Sequence, residues 1–221
     1  VTRQQILARV LDSGIVAVIR MEDPARCLRV IEALREGGVD VAEITMTVPN
    51  ALALIEEAAR AFGTDVPLGV GSVLDAATVH RAVDAGAAYV VSPVFKPEVV
   101  AAAHERGVPA MPGAFTPTEV LAAHEAGADV VKVFPADVLG MAFFKGVLAP
   151  MPFLRLMPTG GVTLDNADEW LRAGAVAVGV GGALLDKQAI AEGRYAQLTE
   201  NARRLRASFE RGRPAGAAAS G

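Results

Sequence analysis

The feature that most constrains this chain is a repeated unit: a helical stretch ends in glycine, and a β-branched apolar run follows within two or three residues. It appears as EALREGGVDVAEI, HRAVDAGAAYVVS, AAAHERGVPAMPG, LAAHEAGADVVKV and EWLRAGAVAVGV. Gly86, Gly107 and Gly127 recur at steps of 21 and 20 residues, while Gly38 to Gly86 and Gly127 to Gly174 span 48 and 47, each close to two steps. Glycine suits these positions because helices commonly end on a left-handed residue, a conformation that costs glycine little. A helix-to-strand unit this short leaves room only for parallel strands joined by crossover helices.

Eight apolar runs read as strands: 15–19, 41–45, 67–70, 89–91, 109–111, 130–134, 154–157 and 176–180. Their near-continuous apolar character predicts burial on both faces. Between them the pattern predicts helices over 24–35, 50–61, 75–84, 97–106, 116–125 and 164–172, with Asn50, Asp75 and the TPTE segment at 116–119 as start signals. Eight alternating units predict an α/β fold, a (β/α)₈ TIM barrel in one domain over residues 1–210; an open doubly wound sheet is the alternative. Residues 2–11 carry apolar positions at helical spacing and are expected to plug the amino-terminal mouth. Residues 195–210 read as a last charged helix, and the alanine- and glycine-rich 211–221 as a disordered tail.

Composition narrows the function classes. A chain of 221 residues builds one substantial core, not two comfortable ones. A net charge of −4 lacks the basic footprint of a nucleic-acid binder. No apolar run approaches the roughly 20 residues that cross a bilayer, so no membrane partner is expected. The amino terminus mixes charged and apolar residues, unlike a signal peptide. Cys27 is the only cysteine, which rules out an internal disulfide and a cysteine-based zinc site. A soluble cytoplasmic protein is the expectation.

In barrels of this kind the chemistry gathers where strands end and loops begin. The residues there are Arg20; Glu43 with Thr45 and Thr47; Gly71 and Ser72; Ser92 and Pro93; Pro112 and Gly113; Lys132 and Phe134; Thr159, Gly160 and Gly161; and Gly181 and Gly182. Polar residues and glycines thus collect at one end of otherwise apolar strands, as a site requires. Lys132 is the sharpest of them. The other three lysines (Lys96, Lys145 and Lys187) fall in helices or loops, whereas Lys132 interrupts the β-run VVKVF. Burial works against an ammonium there, and the free amine is the form that attacks a ketone to make an imine. Glu43, which interrupts VAEIT, is its natural partner, either as a proton carrier or as a plain salt-bridge partner. PTGG at 158–161 and GVGG at 179–182 are loops after the last two strands whose backbone N–H groups suit a phosphate, although glycine at a bend also has a purely structural reading. His80, His104 and His124 lie in outer helices, the latter two near helix ends where they complement the dipole. No metal site is legible. Cys27 and Trp170 read as core. Phe134 shares a strand face with Lys132 and either walls the pocket or simply packs.

The segments EITMTVP, GVGSVL, VSPVF, MPGAFTPTE, VKVFPA, PTGGV and GVGGALL resemble, in order and spacing, those of the class I 2-keto-3-deoxy-6-phosphogluconate (KDPG) aldolases, a family often merged with 4-hydroxy-2-oxoglutarate aldolases. The resemblance runs from about Gly14 to Leu185. It implies cleavage of a phosphorylated keto acid to pyruvate and glyceraldehyde 3-phosphate, without metal or cofactor. Lys132 would form the Schiff base and Glu43 move protons. Ser72, Pro93, Phe134 and Thr159 would line the pyruvate end, and Gly160, Gly161, Gly181 and Gly182 the phosphate end. It also implies a homotrimer. Three positions depart from the family. Thr47 stands where some members have arginine, which leaves Arg20 as the candidate for the carboxylate. Ser72 replaces a threonine and keeps the hydroxyl. Gly182 replaces a common serine and loses a donor. Close alternatives are a 4-hydroxy-2-oxoglutarate or 2-keto-3-deoxy-6-phosphogalactonate aldolase. More distant ones are a sugar-phosphate isomerase or epimerase on the same loops, and a non-catalytic phosphometabolite binder.

Overall fold

A computed structural model describes residues 1–213. Every strand pairing in it is parallel. Among the described residues the strands are β1 (Ile15–Ile19), β2 (Val41–Thr45), β3 (Leu68–Gly71), β4 (Tyr89–Val91), β5 (Ala110–Met111), β6 (Gly113–Ala114), β7 (Val131–Val133), β8 (Leu156–Pro158) and β9 (Val178–Val180). Six form a curled sheet in the order β5-β4-β3-β2-β1-β9, and three form a second sheet, β6-β7-β8. Parallel pairing puts all carboxyl ends on one side, so the residues singled out at strand ends share that side.

The run expected at 109–111 forms β5, and a second short strand, β6, follows it after Pro112. Proline has no N–H to give a ladder, and the chain changes partners there: β5 pairs with β4, and β6 with β7. Pro112 still accepts a bond from the Lys132 amide at 2.9 Å, and Ala110 O accepts from the Asp129 amide at 3.0 Å. At the other seam the Val176 amide donates to Leu156 O at 2.9 Å, and isolated bridges join Leu156 to Ala175 and Thr159 to Gly179.

The helices are α1 (Arg3–Ser13), α2 (Cys27–Glu36), α3 (Ala51–Phe62), α4 (Ala76–Asp84), α5 (Pro97–Glu105), α6 (Pro117–Glu125), α7 (Ala136–Leu148), α8 (Ala167–Arg172), α9 (Lys187–Ala191) and α10 (Tyr195–Gly212). The repeat glycines behave as expected: Gly38, Gly86, Gly107, Gly127 and Gly174 all have positive φ, between 69° and 107°. Asp75 caps α4 through the Thr78 amide, and Thr116 with Glu119 forms a capping box at α6. Asn50 precedes α3 as expected but makes no side-chain cap; it sits at φ 56°, bending the chain into the helix. The helix expected from 164 begins only at Ala167. Thr163 and Asp165 are instead held in a side-chain turn, in which Asn166 Oδ1 accepts from the Thr163 amide at 2.8 Å. Helix α10 runs through Gly212, two residues past the expected end, and 214–221 of the predicted tail lie outside the described residues. Two further helices, α7 and α9, complete the alternation: Gly140 kinks α7 at φ 69°, ψ 177°, and α9 is five residues long.

Most of the core lies between strands and helices. A smaller cluster joins Val16, Val41, Tyr89, Met111 and Met157 to Ile6 and Val10 of α1. Helix α1 therefore covers the strands on the side away from their carboxyl ends, as the spacing at 2–11 predicted. Among the described residues no helix is long and apolar enough to cross a membrane.

Candidate active site

Lys132 is 5% exposed, in the middle of β7, between Gly113 of β6 and Met157 of β8. A bulky neighbour at 113 is excluded because a Cβ there would lie 2.2 Å from Pro93 O. The Lys132 Nζ lies over the Phe134 ring, 5.2 Å from its centroid, just past the end of β7.

Glu43 is 1% exposed and both its oxygens are without a hydrogen-bond partner among the described residues. The expected alternative of a plain Glu43–Lys132 salt bridge is not what forms: no such pair lies within ion-pair distance. Burial pushes the Glu43 carboxyl above the ordinary carboxylate range, and the charges of Lys132 and then Arg20 pull it partly back. A carboxyl with these opposing influences is suited to taking and giving a proton.

The space for that carboxyl comes from β3. Its residues alternate as LGVG, and a Cβ on Gly71 would fall 1.8 Å from Glu43 Oε1, while one on Gly69 would fall 2.2 Å from the Tyr89 ring. Two glycines on one strand face therefore admit a tyrosine and a glutamate from the neighbouring strands. Tyr89 is fully buried, donates to Ala42 O at 2.9 Å, and has its hydroxyl pKa raised by burial and by Glu43. Sequence reading missed Tyr89 and Gly69; the signal available was the pair of glycines inside a strand.

Ser72 follows directly in the left-handed region, at φ 60°. Thr47 is exposed and lies 2.7 Å from the Thr45 hydroxyl, which donates to Ile19 O at 3.1 Å, so the β2 loop is tied to the residue before Arg20. Thr159 is 9% exposed, and its hydroxyl has no partner among the described residues. Glu43 and Thr159 are two of the three residues there with orphaned buried polar side-chain atoms; the third, Trp170, packs against Phe144 in the outer core. Such atoms concentrate where chemistry is done.

The glycine loops separate into two kinds. Gly160 and Gly161 have φ of 99° and 73°, and any Cβ on them would meet Asp137 within 3.0 Å, so packing on α7 alone requires glycine there. Asn166 holds this loop by donating to Gly161 O at 3.0 Å. Gly181 packs on Val18 of β1 and accepts from the Leu184 and Leu185 amides, both at 3.0 Å. Gly182 faces open space.

A cavity of about 500 Å³ opens between the loop after β1 and residues 185–191 around α9. Arg20, Thr47, Glu22, Asp23, Arg26 and Lys187 supply its polar wall. Lys132 and Glu43 are not in the wall; Arg20, whose charge acts on Glu43, connects the two regions. Among the described residues no cluster of histidine, cysteine and carboxylates suits a metal. His104 lies 3.3 Å from Asp129 and His124 stacks on Phe153, both outside the site.

The sequence profile of "KDPG and KHG aldolase" matches residues 6–201. The chain belongs to that family. It is 37% identical over 203 residues to the 2-dehydro-3-deoxy-phosphogluconate aldolase of Treponema pallidum (strain Nichols), covering 90% of this chain and 93% of that protein. It is 35% identical over 175 residues to a probable 2-dehydro-3-deoxy-6-phosphogalactonate aldolase of Rhizobium meliloti (strain 1021), covering 79% and 82% respectively. Among solved structures it is similar to the KDPG aldolase of Legionella pneumophila with pyruvate captured at low pH as a covalent carbinolamine intermediate. That match has a TM-score of 0.84 at 28% identity and covers 91% of this chain and 98% of the other. The α/β fold with its curled parallel sheet is common to both, and the chain is an aldolase, a lyase.

Proposed function

We propose that this aldolase cleaves 2-keto-3-deoxy-6-phosphogluconate to pyruvate and glyceraldehyde 3-phosphate through an imine on Lys132. The observation that carries the reading is a lysine buried in a strand, faced by an aromatic ring and electrostatically coupled to an unbonded buried carboxyl. The amine attacks C2 of the keto acid to give a carbinolamine, and loss of water gives the protonated imine. Glu43 accepts the proton of the C4 hydroxyl as the C3–C4 bond breaks, and its electron pair moves onto the imine to form an enamine. The aldehyde leaves, C3 is reprotonated, and water releases pyruvate and the free amine. The imine itself is the electron sink, so this route assigns no step to a metal or cofactor.

In this reading Ser72, Pro93, Phe134 and Thr159 surround the pyruvate unit, Arg20 takes its carboxylate, and Thr47 positions the loop beside it. The loops of Gly160, Gly161, Gly181 and Gly182 face the phosphate end. The seam bonds at Pro112, Ala110 and Leu156 support closure of the two sheets into one eight-stranded barrel, in which β5 and β6 act as a single interrupted strand, and a single domain. The proposed homotrimer has support in exposed Leu74, Val94, Phe115 and Val138, which follow β3, β4, β6 and β7 on one side of the molecule. We place its work in the cytoplasm.

Borohydride reduction in the presence of pyruvate tests the central step. A reduced pyruvate adduct on Lys132 by mass spectrometry is the expected result, absent from Lys132→Met; an unmodified Lys132 refutes the mechanism.

A further inference from the structure

The cavity between the loop after β1 and α9 is lined by three cations, Arg20, Arg26 and Lys187, and they are not equivalent. Arg26 is committed: its Nε lies 2.9 Å from Asp23 Oδ2, and its Nη1 donates to Ile190 O and Ala191 O at 2.5 and 3.0 Å. Asp23 is likewise spent on Arg26 and on the Ala25 amide. Arg20 and Lys187 enter no ion pair among the described residues, and Glu22 is the one carboxylate left in the wall to oppose them.

Arg20 and Lys187 also come from different elements. Arg20 follows β1 and its charge reaches Glu43; Lys187 opens α9, after the Gly181 turn in the chain. Two uncommitted cations in one cavity wall, Arg20 after β1 and Lys187 at the start of α9, match a substrate with an anion at each end. We infer that Lys187 is a specificity-determining residue that binds the distal phosphate of the substrate, while Arg20 serves the carboxylate end. This inference rests on the aldolase reading above. A short dicarboxylate such as 4-hydroxy-2-oxoglutarate places its second anion too few bonds from the imine carbon to use Lys187 in the same way. Lys187 therefore separates phosphorylated from unphosphorylated keto acids.

The test is a KM and kcat comparison of the parent enzyme with Lys187→Ala and Lys187→Arg. The substrates are 2-keto-3-deoxy-6-phosphogluconate and 4-hydroxy-2-oxoglutarate, with pyruvate C3 proton exchange in heavy water measured alongside. The expected result for Lys187→Ala is a KM for the phosphorylated substrate raised about tenfold or more. The KM for 4-hydroxy-2-oxoglutarate and the exchange rate should move less than about twofold, and Lys187→Arg should recover most of the loss. Equal losses on all three substrates, or no change in any, overturn the role of Lys187 while the aldolase reading stands. A parent enzyme that neither exchanges pyruvate protons nor cleaves either substrate overturns both.

Discussion

Glu43 illustrates how one residue can work against the fold that holds it. Its carboxyl has no hydrogen-bond partner among the described residues, and burial raises its affinity for a proton above that of the unfolded chain. A carboxyl of this kind contributes stability fully at pH below its ordinary range, and the contribution is lost as pH rises through the folded value. Glu43→Gln removes that dependence. Thermal melts should show the variant gaining on the parent as pH rises from about 4 to about 8, while turnover falls by about 10²-fold or more. Parallel melting at every pH would show that the burial carries no such cost. The same residue explains Gly71, whose replacement by alanine would put a Cβ on the carboxyl itself. VAEIT announced Glu43 because a charge breaks an apolar run; Tyr89 went unread because an aromatic in a strand looks like ordinary core.

At the scale of elements, Asp129 is the knot that fastens α1. It accepts two bonds from Arg3 Nε and one from Nη2, at 2.8 to 3.2 Å, one from the Ala110 amide at 2.8 Å, and lies 3.3 Å from His104. One buried carboxylate thereby joins α1, α5 and β5. Asp129→Ala leaves the Ala110 amide buried without its acceptor and unties α1. Urea denaturation should register a loss of about 2 to 3 kcal/mol. A midpoint within error of the parent would place the hold on α1 in Ile6 and Val10 alone. The element pattern was legible wherever local rules govern it: the left-handed glycines, the Asp75 cap and the capping box at Thr116 all depend on a few neighbouring residues. It failed where local signals mislead. Gly140 and Gly146 look like breakers, yet α7 runs from its Pro135 N-cap past both, kinked at Gly140, with Phe144 and Val147 buried against the core.

For the whole molecule, the exposed apolar side chains after β3, β4, β6 and β7 lie on the site's own side. If they meet a second and third copy, light scattering should return about three times the chain mass, and Phe115→Asp should reduce it toward one. A parent that elutes as a monomer at every concentration removes the trimer.

The sequence by itself determined the parallel α/β scheme, because a glycine-ended helix followed at once by a buried strand repeats at a fixed step. It also marked Lys132 and Glu43, because a charge inside an apolar strand is costly enough to need a reason. Only the tertiary structure decided what surrounds them. That Glu43 stays unbonded, that Gly69 and Gly71 make room for Tyr89 and Glu43, and that Arg20 and Lys187 share a cavity all depend on strands and loops distant in sequence. Contacts of that range follow from packing and carry no local periodicity to read.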